Sequence, residues 1–153
     1  VRWRSVVVVV ASALLGCSHS STSGTSVFKI KVGQCVVPPT AIKAEITSVT
    51  VVACTRPHTQ EVFADVTYTG VAGAVTTTSS DAFPGTAVLR TYADGACLQH
   101  FTGYVGVDYR DSTLFYTYML PSARSWSSHD RTIVCLITTT GQQLTLSVKG
   151  SRL

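Results

Sequence analysis

Charge is scarce in this sequence: only 13% of its 153 residues are Asp, Glu, Lys or Arg. The basic residues never gather into a run, so a nucleic-acid surface, which needs a clustered cationic face, is not expected. No Gly-x-Ser-x-Gly, His-Glu-x-x-His or P-loop pattern occurs. There is no Cys-x-x-Cys pair either, and the cysteine spacings are not those of a zinc site. The usual marks of a hydrolase, a zinc peptidase, a nucleotide-binding domain and a dithiol redox centre are therefore all missing. The apolar amino-terminal stretch, Ser5 to Leu15, has eleven residues and is too short to cross a bilayer as a helix.

That stretch instead has the form of an export signal. Arg2 and Arg4 precede it, and it ends in Leu14-Leu15-Gly16-Cys17, which has the form of a lipobox. Residues 1–16 are read as a lipoprotein signal peptide and Cys17 as the lipid attachment point. An ordinary cleaved signal that leaves Cys17 as a spare thiol, or an uncleaved anchor, are the alternatives. Cysteine arithmetic bears on the choice. Five cysteines are an odd number for an exported chain, and lipid on Cys17 leaves an even set: Cys35, Cys54, Cys97 and Cys135. Losing Arg2 and Arg4 takes the twelve basic residues to ten against eight acidic ones, so the net charge falls from +4 to +2. The expected location is the extracytoplasmic face of the cell membrane, with palmitate among the acyl chains.

Residues 17–26 carry the lipidated Cys and a polar tether, Ser18 to Ser26. Residues 27–153 read as one globular domain. Strands are predicted over Val27 to Val32, Ile46 to Cys54, Glu61 to Thr69, Leu114 to Leu120 and Thr132 to Thr140. In the third of these, Val62, Ala64, Val66 and Tyr68 fall on one face. A last strand carries Leu144, Leu146 and Val148, joined to its predecessor by a hairpin turn at Gly141-Gln142. Val36 to Thr40, with Pro38-Pro39, is read as loop or edge, and Gly70 to Ser80 as a loop. From Gly85 to Tyr104 the period changes: Leu89, Ala93, Cys97, Phe101 and Tyr104 form one helical stripe. The fold class is α+β, an antiparallel sheet with one main helix packed on it and two disulfides.

Four cysteines allow three connectivities, and sequence alone does not choose among them. The preferred pairing is Cys35–Cys54, closing the amino-terminal corner, with Cys97–Cys135 pinning helix to sheet. Such loops contribute roughly 3 and 4 kcal/mol in the chain-entropy account.

Two segments then carry a resemblance. Val32-Gly33-Gln34-Cys35 and Cys54-Thr55-Arg56-Pro57-His58-Thr59-Gln60-Glu61-Val62-Phe63 are followed by Cys97, Tyr104-Val105-Gly106, Trp126, Asp130-Arg131 and Cys135. In this order they resemble the septum formation family domain of actinobacterial envelope proteins. Gln34 stands where that family usually has Asp, and His129 stands where Gly commonly precedes Asp-Arg. The resemblance implies a non-enzymatic envelope domain linked to cell division, without cofactor, whose partners are division or cell-wall proteins.

The residues themselves offer three candidate constellations. His58 and Glu61, after Pro57, could be metal ligands or an acid–base pair. The alternative is that they bond to loop backbone and to Arg131 or Arg56, and a third ligand of obvious spacing is missing. Asp130-Arg131 reads as a turn Asp with an ion-pairing Arg, although a small metal-dependent or hydrolytic enzyme using His58, Glu61 and Asp130 is the competing function. Tyr116 and Tyr118, with Trp126, are the third. If alternation buries Phe115, the two tyrosines face outward as a protein or glycan contact surface. If the helix covers that face, all of them are core.

Overall fold

The computed structural model describes residues 24–41, 45–70 and 81–153. The signal peptide, Cys17, most of the tether and most of the Gly70 to Ser80 loop lie outside the described residues. Six strands form one antiparallel sheet: β1 (Thr25–Ser26), β2 (Cys35–Val37), β3 (Ser48–Val52), β4 (Gln60–Thr67), β5 (Phe115–Met119) and β6 (Thr132–Thr138), in the order β1-β3-β2-β4-β6-β5. The long helix α1 (Thr86–Val105) lies on one face, and a short helix α2 (Ala123–Ser127) precedes β6. The predicted stripe is the buried one: Leu89, Ala93, Cys97, Phe101 and Tyr104, joined by Val105. Gly106 ends α1 at φ 89°, donating its N–H to Thr102. A side chain there would also press on Arg152, 3.3 Å away, so only glycine suits both demands.

Both disulfides form as preferred, Cys35–Cys54 and Cys97–Cys135. The second joins the centre of α1 to β6, the most buried strand, whose residues Ile133 to Ile137 are all inaccessible or nearly so. Such a strand reads as a continuous apolar run because both of its faces are covered. Ile133, Cys135 and Ile137 face the helix, whereas Val134 and Leu136 join Ile30, Val36, Val49 and Val62 in a smaller cluster on the other face.

Four expectations are corrected. Val27 to Val32 is not a strand. Val27–Lys29 is a turn of 3-10 helix that drops Ile30 onto the sheet and leaves Phe28 66% exposed. The segment read as loop or edge supplies an interior strand, β2, paired on both sides, and Pro38 ends it. In β4 the register slips between Val62 and Ala64, leaving Phe63 as the extra residue of a bulge. The bulge resets the alternation, so Val62 points away from the helix while Ala64, Val66 and Tyr68 point toward it. The carboxyl-terminal residues make no hairpin strand. Leu144 forms a single bridge with His58, the chain then crosses the end of α1, and Gly150 and Arg152 donate to the carbonyls of Tyr104 and Val105.

Candidate functional site

At the amino-terminal end of β4 the chain buries two polar side chains completely, His58 and Glu61. Exposed Pro57 turns the chain into the strand. His58 exchanges both backbone hydrogen bonds with Leu144, and its ring Nδ1 donates to the Arg56 carbonyl at 2.8 Å. A carbonyl can only accept, so Nδ1 carries the proton, and Nε2 has no partner among the described residues. Glu61 is satisfied by three donors: Tyr104 Oη at 2.5 Å, Ser147 Oγ at 2.6 Å and the Val148 N–H at 2.8 Å. One carboxylate thus ties the sheet, the end of α1 and the carboxyl-terminal strap together. Desolvation raises the Tyr104 pKa, and the hydrogen bond to Glu61 and that residue's charge raise it further. The expected arginine partners are absent: Arg131 lies elsewhere, and Arg56 contributes to His58 through its backbone only. Tyr104 and Ser147 as the true partners were missed, because they sit 43 and 86 residues away in sequence.

Glu61 also lies within 4.8 Å of the sulfurs of Cys35 and Cys54. Those sulfurs are bonded to each other, so the trio offers no thiolate to a metal. Nor does Asp130 join His58 and Glu61. It lies two residues before Thr132, which pairs with Thr67 at the far end of β4, whereas Gln60 pairs with Thr138. The seven-residue step between the two ends is roughly 20 Å or more along the strand.

The second corner is built around Trp126. Residues Ser122 to Ser125 form a capping box in which each side chain accepts from the other's backbone N–H. The resulting helix presents Trp126 to Tyr68 and Phe83, each 5.7 Å away edge to face, and to the Asp81 carbonyl. Arg131 lies 3.7 Å above the indole and donates to the carbonyls of Trp126 and Asp130. Its role is a cation–π cap and backbone clasp, not the ion pair that was expected. Asp130 does act as a turn residue, accepting from the Thr132 N–H at 3.0 Å.

For the tyrosines neither alternative holds whole, since the helix packs on them and yet both also line an open trough. Tyr116 and Tyr118 are half-buried against the helix-side cluster, and Phe115 is 43% exposed on the opposite face. The Tyr116 hydroxyl donates to the Asp94 carbonyl at 3.2 Å. Burial raises the pKa of both tyrosines, with Asp94 adding to each effect.

What remains accessible includes the face away from α1 and the β5 edge, where Tyr116 and Tyr118 meet Arg90 and Asp94. There an open trough of about 1340 Å³ runs over Val134, Asp65, Thr67 and Met119 and is walled by Val27 to Ile30 on one side and Ser122 to Asp130 on the other. A branch of about 400 Å³ reaches between Phe28, Ile46 and Arg124. Phe28 and Ile46 are 66% and 40% exposed, apolar side chains standing at the rim. Periodicity could not have located this trough, since its walls are irregular segments. The Gln34 side chain closes the turn before β2, its Oε1 accepting the Lys31 N–H at 2.9 Å.

Among the described residues no helix is long and apolar enough to cross a membrane. In comparison with known proteins, a family model described as "Septum formation" matches residues 32–151. No curated protein and no solved structure matches.

Proposed function

Because this chain belongs to the septum formation family, we propose that it is an interaction module of the cell envelope, non-enzymatic, lipid-anchored through Cys17 and working at the division septum. The observation that carries the reading is how the buried polar residues are used. The Glu61 carboxylate, the strongest candidate for acid–base work, already receives three hydrogen bonds that hold the fold. His58 is bound to backbone on three sides, and Asp130 stands a strand's length away. The surface offered to solvent is an apolar-rimmed trough, which suits binding of a protein or wall component. The lipobox-like Leu15-Gly16-Cys17 and the polar tether support anchoring with the domain held just off the membrane.

The test is the position of a fluorescent fusion in growing cells beside a Cys17→Ala control. The expected result is a band at mid-cell that weakens in the control. A uniform membrane rim would remove the septal assignment while keeping the anchor, and a diffuse signal unaffected by Cys17→Ala would remove the anchor.

A further inference from the structure

β5 closes one edge of the sheet, and none of the described strands pairs with its outer side. The other edge, β1, is only two residues long, a common way of blunting an edge against unwanted pairing. β5 has no such device. Its five residues, Phe115-Tyr116-Thr117-Tyr118-Met119, include no charge and no proline, and its register with β6 runs without a bulge. Space is open on both sides of it, for the trough continues past Thr117 and Met119 to Arg90 and Asp94 on α1.

The strand's sequence is nearly the same read in either direction. An antiparallel copy centred on Thr117 sets Thr117 against itself, Tyr116 against Tyr118, and Phe115 against Met119. Each face of the joined sheet then pairs like with like: the tyrosines on the helix side, the apolar ends on the trough side. Aromatic and β-branched cross-strand pairs are among the stabilising ones. The helix beside the strand supports the same arrangement. The Tyr116 hydroxyl bonds to Asp94, whereas Tyr118 lies beside both Asp94 and Arg90, so α1 runs antiparallel to β5. A two-fold axis through Thr117 therefore brings Arg90 of each copy toward Asp94 of the other, and both side chains are exposed. A foreign peptide would have no reason to match this symmetry; a second copy satisfies it.

We propose that the chain forms a two-fold dimer in which β5 pairs antiparallel with β5 of a second copy about Thr117, joining the two sheets into one. The contact is isologous, so assembly stops at two. It is independent of the lipid on Cys17 and of the septal role.

The test is disulfide trapping of the full chain in detergent extracts of whole cells, in a Cys17→Ala background to remove that thiol. Across a two-fold axis Thr117 Cα atoms lie about 4.5–5.5 Å apart whichever class of antiparallel pair they form, within disulfide range. Thr117→Cys is expected to run mostly as a reducible dimer on a non-reducing gel, and Ser127→Cys, exposed on α2, as a monomer. Adding Arg90→Asp should lower the trapped fraction severalfold, and the exchanged pair Arg90→Asp with Asp94→Arg should restore it. Sedimentation of the unmodified chain, dimeric as against a monomeric Thr117→Lys variant of unchanged thermal transition, keeps the test valid if the cysteine variant misfolds. A monomeric unmodified chain, or trapping to a protein of different mass, would overturn the proposal.

Discussion

On the helix side of the sheet, aromatic rings interlock: Phe101 meets Phe63 at 6.0 Å and Tyr109 at 5.1 Å, and Tyr109 meets Tyr116 at 5.0 Å. The Cys97–Cys135 disulfide fastens this layer from within, and Tyr104 with Glu61 fastens its end. On the opposite side, six aliphatic residues lie under a single turn of 3-10 helix, and the remaining floor opens into the trough. Two faces of one sheet thus receive very different cover. In a domain with little charge and few residues to bury, stability concentrated on one face leaves the other free to meet a partner. The carboxyl-terminal strap belongs to the first face, because its buried contacts, Val148 and the Val148 N–H to Glu61, are made there.

The sharpest way to break this contrast is to truncate one aromatic on each face. Phe101 is fully buried, and Phe28 is 66% exposed at the rim of the trough. Phe101→Ala should cost about 3–5 kcal/mol in urea denaturation, combining lost transfer energy and a cavity. Phe28→Ala should stay within about 0.5 kcal/mol. Comparable losses at the two positions would mean that the open face also carries the fold, and the division of labour would fail.

A middle-sized effect comes from the clasp at the end of the helix. Tyr104→Phe removes one of three donors to a buried carboxylate and should cost about 1–3 kcal/mol at neutral pH. Its second signature is in alkali. Burial first, and then Glu61, raise the pKa of Tyr104 above that of a free tyrosine, so above about pH 10 an unfolded chain loses this proton while the folded one keeps it. The unfolded state then binds fewer protons, and stability falls as pH rises. Below about pH 10 both states hold the proton and the contribution is complete. Tyr104→Phe should make the alkaline decline of the melting temperature shallower, leaving the part due to Tyr116 and Tyr118, which burial also raises. An unchanged decline would place the loss outside this clasp.

The helix-side face was also the more legible one. The stripe from Leu89 to Tyr104 and the run Ile133 to Ile137 show their burial in the local pattern, and the preferred pairing of the cysteines on them follows from setting that stripe against that strand. Both polar anchors could be singled out by residue type, yet not their partners. Glu61 is held by Tyr104 and Ser147, contacts that depend on a non-periodic strap. The bulge at Phe63 reversed the face expected of Val62, since one extra residue shifts a period of two without leaving a mark in composition. On the open face, Val27 to Val32 alternates like a strand but pairs with nothing as one. β2 looks like a loop because Pro38-Pro39 follows it so closely, although the prolines only end it.

The smallest effect is expected at the rim of the open face, where geometry of the backbone replaces packing. After α2, Asp130 N–H returns to the Ser125 carbonyl and His129 N–H to that of Trp126, the two bonds of a Schellman motif. The first residue past the helix end, which donates the shorter-range of the two bonds, must be left-handed, and His129 is, at φ 66°. A side chain with a Cβ costs about 1–2 kcal/mol in that conformation, which gives a physical reason for glycine at this place in the family pattern. Glycine also makes the unfolded chain more flexible, which takes back about 0.4–1 kcal/mol. His129→Gly should therefore stabilise the domain by about 0.5 kcal/mol, read as a small rise in denaturation midpoint with an unchanged slope. A loss instead would show that the exposed imidazole itself contributes to holding the trough wall, and the open face would then be less idle in folding than its thin cover implies.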